Sequence, residues 1–410
     1  MKSVWFLNHY AQEPGGPGGT RHFSLARGMR NYGWTASIIA ASTEHGTNRD
    51  RLAPHETARL DHFDDVPFLW LKTSAYAGNG ADRIRNMVGY TRAALARDNT
   101  KDLTPPDVVV GSSVHPFAAW AGLRLAQRYR VPFVFEVRDL WPQTLVDMGR
   151  LPQRHPVTYV LQRLERYLYK RAEKIVVLLP HAHKYIEPLG IDGRKIEWVP
   201  NGIELEIFPR PEPKPAADTF TLMYFGAHGT ANGLDNVLRA MAEVRALSTS
   251  RPVNLRVIGD GPLKPSLMAM AKDIGLDNVA FEDPVPKLQI ARLAADADAF
   301  VFNLIDAPVF KYGISSNKLF DFMACGRPVI FACESSNNPV DAAGGGLTVP
   351  AGQPRLLAEA IARLEAMPPD AVQAMGVANR DHIEANYEFD LLGRKFAGVL
   401  DAACEHRERR

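Results

Sequence analysis

The sequence predicts an α/β protein of two doubly wound domains, each a parallel sheet covered by helices on both faces. Three observations carry that expectation. Short apolar, β-branched-rich runs alternate with helical stretches along the chain. A proline-rich segment near residue 210 interrupts the alternation once, and a glycine-rich strand-to-helix turn follows the first strand of each half.

The elements follow in order. Val4–Leu7, Ser37–Ala40, Asp107–Val110, Pro132–Val137, Lys174–Leu179 and Lys195–Val199 read as strands, with helices such as His22–Tyr32 and Pro116–Tyr129 between them. Phe208-Pro-Arg-Pro-Glu-Pro-Lys-Pro215 cannot be a central strand or a helix, because proline lacks the backbone donor and fixes φ; it reads as a stiff linker. The alternation then restarts with Phe220–Phe225, Val253–Gly259, Asn278–Glu282, Ala299–Leu304, Pro328–Ala332 and Leu347–Val349. The expected division is a first domain over 1–207, a linker over 208–218 and a second domain over 219–387. A ligand is expected at strand C-terminal ends, in a cleft between the two.

Composition bounds the function. The chain has 410 residues, 46% hydrophobic and 23% charged, which excludes disorder and leaves room for two cores. Three cysteines (Cys325, Cys333 and Cys404) are too few for a disulfide framework or a metal site and fit a reducing cytosol. Net charge is +2, but residues 1–200 hold 27 Lys+Arg against 19 Asp+Glu, a net of +8, leaving −6 for the remainder. An anionic partner for the front half would explain this asymmetry. No segment approaches the roughly 18 apolar residues that span a bilayer, and the N-terminal run MKSVWFLNHY reads as a strand rather than a signal peptide. The expected location is the cytoplasm.

The chemistry concentrates at three loops. Gly15-Gly-Pro-Gly-Gly-Thr-Arg-His22 leads into the first helix and lets backbone N–H groups approach an anion. Gly226-Ala-His-Gly-Thr-Ala-Asn-Gly233 takes the equivalent place in the second half, where His228 or Thr230 adds a donor. Neither loop has the GxGxxG or GK[ST] spacing of dinucleotide or P-loop sites. The third is Lys311-Tyr-Gly-Ile-Ser-Ser-Asn-Lys-Leu-Phe-Asp-Phe-Met-Ala-Cys-Gly-Arg-Pro328, with Ser316 as N-cap, Asn317–Cys325 as helix and Gly326 as its end. Its first turn offers free N–H groups with Lys318 beside them, as a phosphate wants. Asp321, one turn on, can accept two hydrogen bonds from a ribose diol; the alternative is a plain i,i+3 ion pair with Lys318. His115 and the pair Arg138–Asp139 each follow a strand, where a sheet presents groups to a ligand; the alternative for Arg138–Asp139 is a loop-anchoring ion pair.

NKLFDFMACGRPVI resembles the signature helix of glycosyltransferase family 4, the retaining nucleotide-sugar transferases with the GT-B fold of two Rossmann-like domains. Gly18-Gly-Thr-Arg-His22, Pro200-Asn-Gly-Ile-Glu-Leu-Glu-Ile-Phe208, Ile258-Gly-Asp-Gly-Pro262 and Asn278-Val-Ala-Phe281 resemble further family segments in order, from about residue 1 to 400. Val137-Arg-Asp-Leu-Trp-Pro142 and Gly313–Lys318 are most similar to a bacterial surface-polysaccharide branch described as L-fucosamine (N-acetylfucosamine) transferases. The resemblance implies that Asp321 binds the ribose and that Gly18, Gly19, His228, Gly229, Thr230, Gly259, Pro284, Ser315, Ser316, Asn317, Lys318 and Leu319 line the donor. It further implies that His115 contacts the donor sugar, that Asp139 accepts from the acceptor hydroxyl, and that Arg138 and Arg21 meet the acceptor. A C-terminal helix, about 388–410, is expected to pack back on the first domain.

Two departures stand out. Family members commonly carry two acidic residues with seven between them; Asp321 fills the second position and Gly313 stands at the first. The usual Arg and Lys of the second glycine loop fall on Ala227 and Asn232. The implied reaction moves a sugar from a nucleotide diphosphate, UDP by default, to a hydroxyl of a lipid-linked saccharide. No cofactor and no divalent metal are expected, with Lys318 and helix N-termini meeting the leaving charge. No nucleic-acid partner is expected. A nucleotide-sugar epimerase, a NAD-dependent oxidoreductase and a non-catalytic sugar-nucleotide sensor remain as alternatives. Finally, Val157–Lys174 has apolar residues at 157, 160, 161, 164, 168 and 172, with Arg163, Arg166, Lys170 and Lys174 as a basic stripe. Either it packs its apolar side on the sheet, or the basic first domain holds the enzyme peripherally on the inner face of the cytoplasmic membrane.

Overall fold

The computed structural model describes residues 1–16, 20–44, 49–76, 80–212, 214 and 217–408. The chain forms two compact units, Met1–Asn201 with Phe389–Arg410, and Gly202–Glu388.

The first unit is built on eight strands: β1 (Lys2–Leu7), β2 (Trp34–Ala41), β3 (Ala58–Phe63), β4 (Val66–Leu71), β5 (Val108–Ser112), β6 (Phe133–Val137), β7 (Lys174–Val177) and β8 (Ile196–Trp198). They lie in the order β3-β4-β2-β1-β5-β6-β7-β8, parallel throughout except for the β3–β4 pair. That pair is a hairpin the sequence reading missed. Asp64 and Asp65 both take positive φ (44° and 62°), the requirement of a two-residue turn that matches strand twist. The Asp-Asp dipeptide between two β-rich runs was the available signal.

Strand order reverses between β1 and β5, so right-handed crossovers send helices to opposite faces. Helix Arg21–Arg30 covers one face with the terminal helix Phe389–Glu408 packed against it. A Cβ on Gly28 would stand 2.5 Å from the Phe389 carbonyl oxygen, and one on Gly393 would stand 2.6 Å from the Gly28 carbonyl carbon. The two glycines therefore let these helix backbones touch. Val4, Phe6, Phe23, Met29, Phe396 and Leu400 fill the core between them and the sheet. Helices Ala81–Leu95, Pro116–Tyr129 and Pro156–Arg171 lie side by side over the other face.

The second unit carries β9 (Phe220–Phe225), β10 (Val253–Ile258), β11 (Val279–Glu282), β12 (Ala299–Asn303), β13 (Val329–Ala332) and β14 (Gly346–Val349). They are all parallel, in the order β11-β10-β9-β12-β13-β14. This is the 3-2-1-4-5-6 order of a doubly wound nucleotide-binding sheet, with its switch point between β9 and β12. The division between units falls at Asn201/Gly202, not at the proline-rich segment as expected. Proline content marked a stiff segment correctly, but burial ties it down: Phe208 is 1% exposed in the second core. The Arg327 guanidinium also donates to the Glu212 carbonyl (3.3 Å), and Arg380 donates to the carbonyl of Phe208.

Helix Pro156–Arg171 hides a titratable group. Glu165 is 3% exposed, and its carboxyl accepts from Tyr169 (2.8 Å) and Tyr185 (3.0 Å). Burial pushes its pKa up to about 8. In the unfolded chain the same carboxyl ionises near 4.3, so between roughly pH 4.3 and 8 the folded state binds the extra proton. Stability contributed by the neutral acid is complete at low pH and lost as pH rises towards 8. Glu165→Gln, which cannot ionise, should match wild type below about pH 4 and gain on it by about 1.4 kcal/mol per pH unit from there towards pH 8. Parallel stability profiles in denaturant titrations from pH 5 to 8 would contradict the assignment.

Candidate active site

In the second unit the chemistry gathers at the β9/β12 switch. The loop after β9 begins at Gly226, whose φ of 138° suits glycine, and a Cβ there would stand 2.8 Å from Lys318 Cε. Lys318 is the second residue of helix Asn317–Ala324, which follows β12 after the connection 304–316 with its single 3-10 element, Pro308–Tyr312. Its ammonium donates to Tyr224 Oη (2.8 Å) and to the Asn232 side-chain oxygen (2.5 Å), and lies 4.7 Å from the Tyr224 ring centroid. Asn303 at the end of β12 donates to the carbonyls of Asn232 and Gly233 (both 2.9 Å), fixing that loop to the strand. Tyr224 and Asn232 are thus functional neighbours the sequence reading did not assign. Asn232, standing where the family commonly has lysine, is instead the clamp on Lys318. Burial pulls the Lys318 pKa down to about 7.

His228 follows two residues after Gly226 and is fully buried. Neither ring nitrogen has a hydrogen-bond partner among the described residues. Its backbone is locked, N–H to the Asp260 carbonyl (2.7 Å) and C=O from the Leu263 N–H (3.1 Å). Gly259 and Gly261, at φ 140° and 154°, permit this approach, since a Cβ on Gly261 would meet the His228 carbonyl oxygen at 2.7 Å. Burial, with Lys264 next, lowers the His228 pKa and keeps the ring neutral. Lys264 itself ties strand ends together, donating to the carbonyls of Gly259 (3.0 Å) and Glu282 (2.9 Å). An unpartnered imidazole between two lysines suits an anionic group.

Asp321 is paired with Lys287 (3.2 Å), not with Lys318 as the plain alternative would have it. Burial raises its pKa and Lys287 opposes that rise. Lys287, on helix Lys287–Ala294, was not foreseen because a single surface-type lysine carries no pattern. Ser316 is the N-cap by position but makes no side-chain cap bond, and with Ser315 and Asn317 it is half-buried. Gly229 is half-buried, while Thr230 and Pro284 are exposed. Leu319 corrects one expectation: its side chain is 0% exposed in the core, leaving only its backbone for a ligand. Gly313 has φ 100°, a conformation a carboxylate-bearing residue would occupy only under strain, which accounts for the missing first acid.

In the first unit, His115 follows β5 as the N-cap of helix Pro116–Tyr129 and is fully buried. Its Nδ1 accepts the Ala118 N–H (3.2 Å), so the ring proton sits on Nε2 and is donated to His9 Nδ1 (2.7 Å). Burial lowers its pKa to about 3. The expected direct contact with a sugar is corrected, since both ring nitrogens of His115 are engaged within the protein; His9, which sequence reasoning missed, is the next link. Arg21 corrects a second expectation. It is 2% exposed, donating to Glu136 Oε1 and the Val199 carbonyl (both 2.9 Å) and to the Pro200 carbonyl, and so does not face an acceptor. His22 completes the set, donating from Nε2 to Glu136 Oε2 (2.7 Å) while its Nδ1 accepts from Asn8 (2.8 Å). Burial opposes the Glu136 charge, yet His22 and Arg21 hold its pKa well below the carboxylate range. Arg138 and Asp139 sit on the loop after β6 with no ion pair between them; Asp139 is exposed, and the Arg138 N–H donates to Ser113 Oγ (3.1 Å). Gly18 and Gly19 lie outside the described residues. Among the described residues no group of three or more His, Cys, Asp or Glu is arranged to hold a metal ion.

Residues 17–202 match the family described as Glycosyl transferase 4-like domain, and residues 219–366 match Glycosyl transferases group 1. The chain is 25% identical over 286 residues to the probable glycosyltransferase WbjE of Pseudomonas aeruginosa, covering 67% of this chain and 69% of that protein. It is 23% identical to the putative colanic acid biosynthesis glycosyltransferase WcaL of Escherichia coli, over 57% and 58% of the two chains. Anabaena HepE, solved in complex with UDP and glucose, superposes with a TM-score of 0.66 at 15% identity, over 98% of this chain and all of that one. With two Rossmann-like units, each matching a glycosyltransferase family over most of its length, the chain is a glycosyltransferase of the GT-B fold, a Glycosyl transferase 4-like domain followed by a group 1 domain.

Proposed function

We propose that the protein transfers a sugar, with retention of configuration, from a nucleotide-diphosphate sugar to a hydroxyl of a lipid-linked saccharide in surface-polysaccharide assembly. UDP is the proposed carrier and an N-acetylated amino sugar the proposed donor group. The observation that carries the reading is the β9/β12 site itself: a buried, unpartnered His228 beside a clamped Lys318, with the Lys287-paired Asp321 one helical turn on. That spacing suits a diphosphate at the loop and a ribose diol at the acid. UDP in HepE and colanic acid in the WcaL description support the donor and pathway class.

In this reading Lys318, His228 and the first-turn N–H groups of helix Asn317–Ala324 hold the diphosphate. The bond from the anomeric carbon to the phosphate oxygen breaks, and the acceptor oxygen bonds to the same face. The acceptor proton passes to an oxygen of the departing diphosphate. Charge grows on that diphosphate in the transition state, so donors aimed at it act most strongly there. Metal independence belongs to the proposal, because Lys318 and Lys264 bring positive charge to the phosphates. His9, held by His115, is the proposed sugar-facing group of the first unit, Asp139 accepts from the acceptor hydroxyl before its proton passes to the diphosphate, and Arg138 pairs with the acceptor's phosphate. An acceptor of this class lies in a membrane, so the enzyme works at an anionic lipid surface.

Two results test this. Asp321→Asn should raise the donor KM about 10- to 100-fold, the worth of hydrogen bonds to a charged group, with kcat little changed. Lys287→Gln should do the same through Asp321, whereas Lys287→Arg should retain near-native KM; a 2′-deoxyribonucleotide donor should be insensitive to Asp321→Asn and Lys287→Gln. Equal losses on ribose and deoxyribose donors would refute the ribose assignment. Activity should also persist in excess EDTA, and its full loss with recovery on magnesium or manganese would overturn metal independence.

A further inference from the structure

The three helices on one face of the first unit's sheet are uneven in charge. Lys and Arg number three on Ala81–Leu95, two on Pro116–Tyr129 and four on Pro156–Arg171. Against these stand only Asp82 and Glu165, and Glu165 is buried. Eight of the cations are exposed, Arg83 being half-buried, and the side chains of Arg92, Arg166 and Lys170 make no ion pair or hydrogen bond among the described residues.

The same face carries exposed apolar groups. Apart from Met1, every strongly exposed large apolar side chain among the described residues of this unit lies on Ala81–Leu95 or Pro156–Arg171. Val157 is 48% exposed, Val160 is 62% and Ile84 is 58%. The apolar stripe expected of Val157–Lys174 is therefore split: Leu161, Leu168 and Ala172 are buried against the unit, while Val157 and Val160 face out. Two exposed tyrosines stand with them, each with an arginine over its ring, Arg163 over Tyr159 (5.7 Å) and Arg171 over Tyr167 (5.4 Å). Aliphatic tips flanked by aromatic–arginine pairs have one end for a hydrocarbon layer and one for charged headgroups.

We propose that this three-helix face docks the protein on an anionic lipid bilayer, with Val157 and Val160 entering the headgroup–acyl boundary and the exposed cations meeting lipid phosphates. It deepens the function proposed above by naming the face. Charge complementarity selects the occupant, since a second copy would set like charges together and a nucleic acid would leave the aliphatic side chains unused. No helix of the described residues is long and apolar enough to cross a membrane, so the docking is peripheral.

The test is sedimentation with vesicles of phosphatidylcholine alone or with 30% phosphatidylglycerol (about a third, chosen to give a negative surface). Wild type should pellet with the anionic vesicles at low salt and be released at high salt. Val157→Ser with Val160→Ser should weaken binding about tenfold, and Arg166→Gln with Lys170→Gln about 25-fold, each surface cation being worth about fivefold. Met268→Ser with Leu356→Ser, on exposed sites of the second unit, should leave it unchanged. UDP binding is measured in parallel on every variant. Retained UDP binding with no vesicle binding overturns the docking alone, and the converse overturns the UDP-donor reading alone. Equal pelleting on neutral vesicles, or insensitivity to both pairs of changes, overturns the proposal. So does a lipid-free dimer that the valine changes dissociate, or an oligonucleotide affinity matching that for lipid.

Discussion

A half-buried ammonium with its stem against a glycine is the constraint around which the second unit's ligand end is organised. Lys318 reaches into that position only because Gly226 has no side chain, and it stays there because Tyr224 and Asn232 both bind it. Those two partners come from the strand and the loop on the near side of the switch, and Lys318 from the helix on the far side. The single contact therefore joins β9 to the helix after β12. Holding the charge in a crowded place lowers its pKa to near 7, which leaves it ready to gain from an anion. His228 has the complementary condition: its backbone is fixed on both sides while its ring has no partner.

In the first unit, by contrast, the buried charge at the end of β6 is satisfied from within. Glu136 takes Arg21 on one oxygen and His22 on the other, and Arg21 extends to the carbonyls of Val199 and Pro200. A buried carboxylate of this kind costs desolvation unless both oxygens are met, and here they are. The network fixes the end of β6, from which Arg138 and Asp139 emerge. His9 and His115 do likewise for β1 and β5.

Much of this was legible in the chain. Continuous apolar strands and helices between them were readable in both halves, and Phe220–Phe225 and Pro116–Tyr129 fall at the residues the pattern indicated. The β3–β4 hairpin escaped because β3 is only partly apolar and its Asp-Asp turn is a weaker signal than Asn-Gly. The unit boundary escaped because proline reports backbone stiffness, whereas the boundary depends on what Phe208 packs against. Among site residues, glycine loops and the Lys318–Asp321 helix could be read from local spacing. The roles of Arg21, Leu319, Lys287 and Asn232 could not, since each depends on a partner distant in sequence or on which helix face is buried.

The measurement closest to the centre of this account is the proton balance of nucleotide binding. UDP would be titrated calorimetrically between pH 6 and 8.5 in pairs of buffers with different ionisation heats. If Lys318 is the cation that meets the diphosphate, binding should take up a proton, near zero at pH 6 and approaching one per nucleotide by pH 8.5. Lys318→Met should abolish that uptake. Tight UDP binding with heats independent of buffer across the range would contradict the account.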